Sequence, residues 1–186
     1  MSVSFVFPFR AISGLLCSCV VLFSSIAHAT DISLALGHSA DNTVTYRTAL
    51  QFPWQQRWFD SDMGRLSGYW VAGYTYWDSE DAVNTHSFSA SPVLTWEFGG
   101  ANSMVQPFIE AGIGLAVFSR NKSADQQLFG VVNLGSSVNF EDRLGFGIRI
   151  NQRHTIGAQA LHYSNAGISS NNAGIESYNI YYRFSF

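Results

Sequence analysis

From residue 30 to the C-terminus, apolar side chains recur at every second position in one run after another. A period of two marks strands with two unlike faces. In the stretch 86–98, Phe88, Ala90, Pro92, Leu94, Trp96 and Phe98 share one face, and Ser87, Ser89, Ser91, Thr95 and Glu97 share the other. In 104–118, Val105, Pro107, Ile109, Ala111, Ile113, Leu115 and Val117 oppose Gln106, Glu110, Gly112, Gly114 and Ala116. Further on, Leu144, Phe146, Ile148 and Ile150 oppose Arg143, Gly145, Gly147 and Arg149. The chain therefore reads as all-β. The pattern predicts eight strands, at about 31–38, 42–52, 65–77, 86–98, 104–118, 132–150 (with room for a bulge), 154–165 and 175–186.

Which face is inside decides the class. A soluble barrel buries its apolar face. Here the opposite face carries small residues together with Arg47, Glu97, Glu110, Glu141, Arg143, Arg149 and Arg183. The interior of an eight-stranded barrel is just wide enough for side chains, and small residues with paired charges suit it better than the bulky apolar set. The apolar faces then contact lipid. Composition agrees. Charged residues make up 12% of the chain and aromatics 15%, against ~25% charged in an ordinary soluble domain. The expected fold is an eight-stranded antiparallel transmembrane β-barrel whose internal charges pair, since an unpaired buried charge is costly. An interior filled in this way argues against a transport pore. The net charge of −3, with no basic stripe, gives no reason to expect a nucleic-acid partner.

The N-terminus reads differently. Arg10 precedes the apolar run Ala11–Ile26, and Ala27-His28-Ala29 follows. This is the order of a secretory signal peptide, so residues 1–29 are expected to be cleaved and 30–186 to form the barrel domain. Both cysteines, Cys17 and Cys19, lie in the part removed, which leaves no disulfide and no thiolate metal site. Neither metal nor cofactor is expected. His38, His86 and His154 lack metal-ligand spacing and read as interfacial. Asp78, Glu80 and Asp81 read as a solvated acidic loop rather than a calcium site.

An even strand number puts both termini on one side, the periplasmic one. Connections 39–41, 78–85, 119–131 and 166–174 then face outward, where Arg120 and Lys122 are candidates for lipid phosphates. Trp54, Trp58 and Phe59 suit an aromatic girdle, in a connection, 53–64, where a short surface helix is expected. The chain ends on Tyr182, Phe184 and Phe186 on one face, which suits an outer-membrane strand.

Polar residues of catalytic type interrupt the apolar faces in one place. Ile156, Ala158, Ala160, His162 and Ser164 share a face, as do Glu176, Tyr178, Ile180, Tyr182, Phe184 and Phe186. A hairpin through 166–174 brings His162, Ser164 and Glu176 together on the lipid side, with cross-strand neighbours ~5–8 Å apart. Serine needs a base to take its proton, histidine can be that base, and a carboxylate can hold the other ring nitrogen. Ser164 then reads as nucleophile, His162 as general base and acid, and Glu176 as the orienting carboxylate. An oxyanion hole is also needed. The Asn165 amide and the backbone N–H groups of Asn165-Ala166-Gly167 are near enough in sequence. Asn171, Asn172 and Gly174 also fit plain turn roles. Spacing alone leaves open a polar belt at the water boundary.

The segments His162-Tyr163-Ser164-Asn165-Ala166-Gly167-Ile168 and Asn172-Ala173-Gly174-Ile175-Glu176-Ser177-Tyr178 resemble the active-site hairpin of the PagL-type lipid A 3-O-deacylases. The resemblance extends to Arg65–Trp70, Ala72–Trp77, Pro107–Gly114 and Asn139–Arg143. It implies catalytic His162, Ser164 and Glu176, with Asn165, Gly167 and Asn172 in the oxyanion hole or site architecture. It also implies a cofactor-free serine esterase of the Gram-negative outer membrane. Its active site would face the outer leaflet, and its substrate would be the ester-linked 3-hydroxyacyl chain at position 3 of lipid A in lipopolysaccharide. Residues near Phe129-Gly130-Val131 look like a longer outer loop. Two other readings stand beside this one. An outer-membrane phospholipase A also uses His-x-Ser, but with an Asn partner, calcium and a larger barrel. A non-catalytic structural or adhesive barrel would share the fold. A homodimer through lipid-facing strands is left open.

Overall fold

The computed structural model describes residues 31–39, 43–79, 84–100, 103–119, 134–169 and 172–186. The expected signal peptide, Glu80, Asp81, Arg120, Lys122, residues 129–131 and Asn171 lie outside them. The strands are β1 (Asp31–Ser39), β2 (Thr43–Pro53), β3 (Trp58–Ser61), β4 (Gly64–Ser79), β5 (Thr85–Phe98), β6 (Val105–Phe118), β7 (Val138–Ile150), β8 (His154–Ser164) and β9 (Ile175–Ser185). All pairings are antiparallel. β1 pairs with both β2 and β9, and β2 pairs with β4, so eight strands close on themselves. Closure leaves no unpaired backbone edge, which a membrane interior would penalise by several kcal/mol per group.

The two faces are sorted as the alternation requires. Leu34, Phe88, Leu144, Phe146 and Ile180 are each more than 60% exposed on the outside, while Arg47, Glu97, Glu110, Glu141, Arg143 and Arg183 are each under 5% exposed on the inside. Large apolar residues out and charges in is the inverse of a water-soluble domain. It identifies the outer wall as the lipid-facing one.

The internal charges form three tiers. Glu97 bonds Arg65 and Arg149 at one end. Glu110 accepts from Tyr69 (2.7 Å) and pairs with Arg183 (3.3 Å). Glu141, nearest the other end, pairs with Arg47 (3.2 Å) and Arg143 (3.3 Å), and accepts from Tyr163 (2.9 Å) and Ser91 (3.0 Å). Each carboxylate thus gains the several partners a buried charge needs.

Three departures from the sequence reading have physical reasons. No surface helix forms in 53–64. Instead β3 pairs back on β4, turning at Asp62-Met63, with Trp58 opposite Leu66 and Ser61 opposite Gly64. The strand expected from 132 begins only at Val138. The preceding residues bend, with Gly135 at φ +68° and the Asn139 side chain donating to the Ser136 carbonyl (2.8 Å). The interior also holds large rings, namely Tyr69, Trp77, Phe108, Phe118, Tyr163 and Tyr181. Glycines opposite make the room. A Cβ on Gly147 would lie 2.8 Å from the Phe108 ring, and one on Gly157 would lie 2.7 Å from Tyr181.

Candidate active site

The end of β8 carries the first two candidate residues. Alternation turns Leu161 and Tyr163 into the lumen and His162 and Ser164 outward. Tyr163 is fully buried. It donates to Glu141 and packs edge-on against Trp77 and Phe118, with ring centroids 5.5 and 5.3 Å away. The backbone between the histidine and the serine is therefore fixed from inside. On β9 the buried Ile175 does the same beside Glu176.

Strand register then sets the site. His162 lies directly opposite Glu176, and its Nδ1 is hydrogen-bonded to Glu176 Oε1 at 2.9 Å. The two side chains are 41% and 44% exposed, so the pair is open on the outer wall. With Nδ1 engaged, Nε2 is the nitrogen available for proton transfer. Gly174, at φ +68°, lets the chain pass beside this ring, since a Cβ there would sit 2.9 Å from His162 Cε1. The position therefore favours glycine for backbone conformation and for space.

Ser164 shares the outward face of His162, two residues on. It lies half-buried at the strand end, opposite Phe140. Among the described residues its hydroxyl makes no hydrogen bond to His162. Catalytic hydrogen bonds are often long in unliganded enzymes and tighten when substrate binds.

Asn165, Gly167 and Asn172 come together, bonded to one another. The Asn165 N–H donates to Asn172 Oδ1 (2.8 Å), and Asn165 Oδ1 accepts from the Gly167 N–H (2.9 Å). Asn165 Nδ2 donates to the Leu134 carbonyl (2.7 Å), and the Ile168 N–H donates to the Asn165 carbonyl (3.1 Å). These bonds hold Ala166 (φ +53°) and Gly167 (φ +78°) in left-handed conformations. The backbone N–H groups of Asn165 and Gly167 are both engaged within the loop, and the Asn165 side-chain amide donates to Leu134. The Ala166 N–H has no acceptor among the described residues.

Sequence reasoning left Asp142 without a role. It lies opposite His162 across the β7–β8 ladder, so a second carboxylate faces outward at the level of the histidine. The parity of Phe140, Asp142 and Leu144 carries the signal that finds it. Below the site the outer wall is hollowed. Ala160 and Ala158 form a floor between Leu144 and Phe146 on one side and Tyr178 and Ile180 on the other. The upper part of this furrow is continuous with His162 and Glu176. An apolar channel leading to a serine, a histidine and a carboxylate has room for an alkyl chain beside them. His86 and His154 are remote from this place, each bonded to a tyrosine hydroxyl at 2.7 Å.

A family model described as "Lipid A 3-O-deacylase (PagL)" matches residues 43–185. The chain is 46% identical over 158 residues to the lipid A deacylase PagL of Pseudomonas aeruginosa, covering 84% of this chain and 87% of that protein. It is 31% identical over 147 residues to the lipid A deacylase PagL of Bordetella bronchiseptica, covering 77% and 75%. Among solved structures, a crystal structure of the outer membrane enzyme PagL superposes with a TM-score of 0.74 at 46% identity, covering 83% of this chain and 98% of that one.

Proposed function

We infer the reaction from a premise those matches establish: this chain belongs to the lipid A 3-O-deacylase (PagL) family. It is an ester hydrolase of the outer membrane and acts on lipid A. The finer reading proposed here is a serine esterase that releases the 3-hydroxyacyl chain from position 3. The single observation that carries it is the 2.9 Å bond between His162 Nδ1 and Glu176 Oε1 on the lipid-facing wall, with Ser164 on the same face. A hydrogen-bonded His–carboxylate pair in an otherwise apolar belt has little reason to exist as packing.

In this mechanism Ser164 Oγ attacks the ester carbonyl carbon as His162 Nε2 takes its proton. Glu176 holds the imidazole by Nδ1 and stabilises the imidazolium that forms. The tetrahedral oxyanion is met by the Ala166 N–H, kept free by the Asn165–Gly167–Asn172 bonds around it. His162 then returns the proton to the sugar oxygen as the carbon–oxygen bond breaks, which leaves an acyl-enzyme. Water, deprotonated by His162, attacks the acyl carbon; the carbon–Oγ bond breaks, His162 returns the proton to Ser164 Oγ, and the 3-hydroxy fatty acid leaves. The acyl chain occupies the furrow over Ala160 and Ala158. The same reading has the site facing the outer leaflet, where lipid A resides, and the mature chain starting after Ala29, as its sequence suggests.

The test is mass spectrometry of lipid A from Gram-negative cells expressing the wild type or Ser164→Ala. Loss of one 3-hydroxyacyl chain with the wild type alone supports the serine mechanism. Equal deacylation by both proteins would sink it.

A further inference from the structure

We propose that Leu134 and Gly135 form a strut, inside the barrel mouth, that positions the loop following Ser164. The role rests on the serine-esterase reading above. Leu134 is 1% exposed and lies in a buried cluster with Trp77, Phe118, Leu161, Tyr163 and Ile175. Three members of that cluster are chain neighbours of the site. Leu161 and Tyr163 flank His162, and Tyr163 also precedes Ser164. Ile175 precedes Glu176. The plug thus braces, from the lumen, the strand ends that present the three residues outward.

The carbonyls beside the plug reach further. Leu134 O accepts from Asn165 Nδ2 at 2.7 Å, and Gly135 O accepts from Ser169 Oγ at 3.0 Å. Asn165 directly follows the proposed nucleophile. Its bonds to Gly167, Ile168 and Asn172 all stay within the site hairpin. The bond to Leu134 instead ties that hairpin to the lumen. Together with the Ser169–Gly135 bond it sets where the self-bonded loop sits relative to His162 and Glu176, and weakening it lets the residue after Ser164 shift. A misplacement of about 1 Å can cost about a hundredfold in rate. Leu134 lies inside the wall while the furrow lies outside. It therefore touches no substrate and acts through Asn165 and Tyr163.

The experiment compares Leu134→Ala, Leu134→Met, Asn165→Asp and the Leu134→Ala/Asn165→Asp double variant with wild type in outer membranes. Folded barrel is counted by heat-modifiable gel mobility, and kcat and KM are measured on lipid A. Leu134→Ala is expected to lower kcat per folded barrel by about tenfold or more, with KM within twofold. Leu134→Met, which refills the plug, should return kcat to within threefold of wild type. The double variant should be close to the slower single, because loss of the plug lets the Leu134 carbonyl shift and the aspartate repels it, so both changes weaken the same tie. If Leu134→Ala loses its barrel, Asn165→Asp carries the test, since it leaves the plug whole and places an oxygen against the Leu134 carbonyl. The strut is overturned by a Leu134→Ala kcat within twofold of wild type, by a rise in KM alone, or by multiplying losses in the double variant. Activity surviving in Ser164→Ala would instead remove the serine reading, and the strut with it. A dead Ser164→Ala beside a normal Leu134→Ala would remove the strut alone.

Discussion

Replacing Glu176 with glutamine keeps the shape of the partner of His162 and removes its charge. The bond in question is 2.9 Å long. A hydrogen bond to a charged group contributes about 1.5–3 kcal/mol. Here both side chains are more than 40% exposed and lie near the ends of β8 and β9, at the rim of the wall where water reaches and screens such pairs, so about 1–2 kcal/mol is the fitting range. At about 1.4 kcal/mol per decade, kcat should fall roughly 5- to 30-fold. Ser164→Ala, which removes the nucleophile, should leave no serine-dependent turnover. The assay is the initial rate of 3-hydroxy fatty acid release from lipid A, normalised to folded barrel. A Glu176→Gln rate within twofold of wild type would mean that the bond does not serve the reaction. A loss of about a thousandfold or more would mean that the pair works in a water-free setting. Either result refutes the reasoning from exposure.

Gly174→Ala places a side chain at φ +68°, 2.9 Å from the His162 ring. It should lower kcat while the barrel still forms, at a cost of about 1–2 kcal/mol in stability by chemical unfolding. Ala160→Trp fills the furrow floor. It should slow release of the long acyl chain roughly tenfold or more while sparing a short-chain soluble ester, and equal effects on both substrates would count against the furrow. Glu141→Ala strands Arg47 and Arg143 in the lumen. It should destabilise the barrel by about 3–5 kcal/mol in a denaturant titration.

Much of this was legible in the sequence because a closed barrel in lipid ties every residue to one of two media. Parity alone sorted Leu144 outward and Arg143 inward. It also predicted that His162 and Glu176 would meet, because the hairpin fixes their register. What parity does not report is size matching across strands. Phe108 and Tyr181 are admitted to the lumen by Gly147 and Gly157, which lie on other strands. Nor does it report ties between distant segments. The closeness of Asn165 to Ser164 is plain in the sequence, but the bond from its Nδ2 to the carbonyl of Leu134, 31 residues earlier, is not. The β3 hairpin was missed because Trp58 and Phe59 have one interfacial aromatic signature whether their backbone is helical or extended.

The floor of the furrow below His162, Ala160 and Ala158, belongs to the outward face of β8, so the furrow lies on the lipid-facing wall. A substrate lying in the same leaflet can therefore slide into register by lateral diffusion, with its other chains left among neighbouring lipids. No gate has to open and no molecule has to leave the bilayer. The concentration that matters is then the mole fraction of lipid A in the surface. Diluting lipid A with inert lipid at constant bulk amount should slow the enzyme, while diluting the whole suspension with buffer should not.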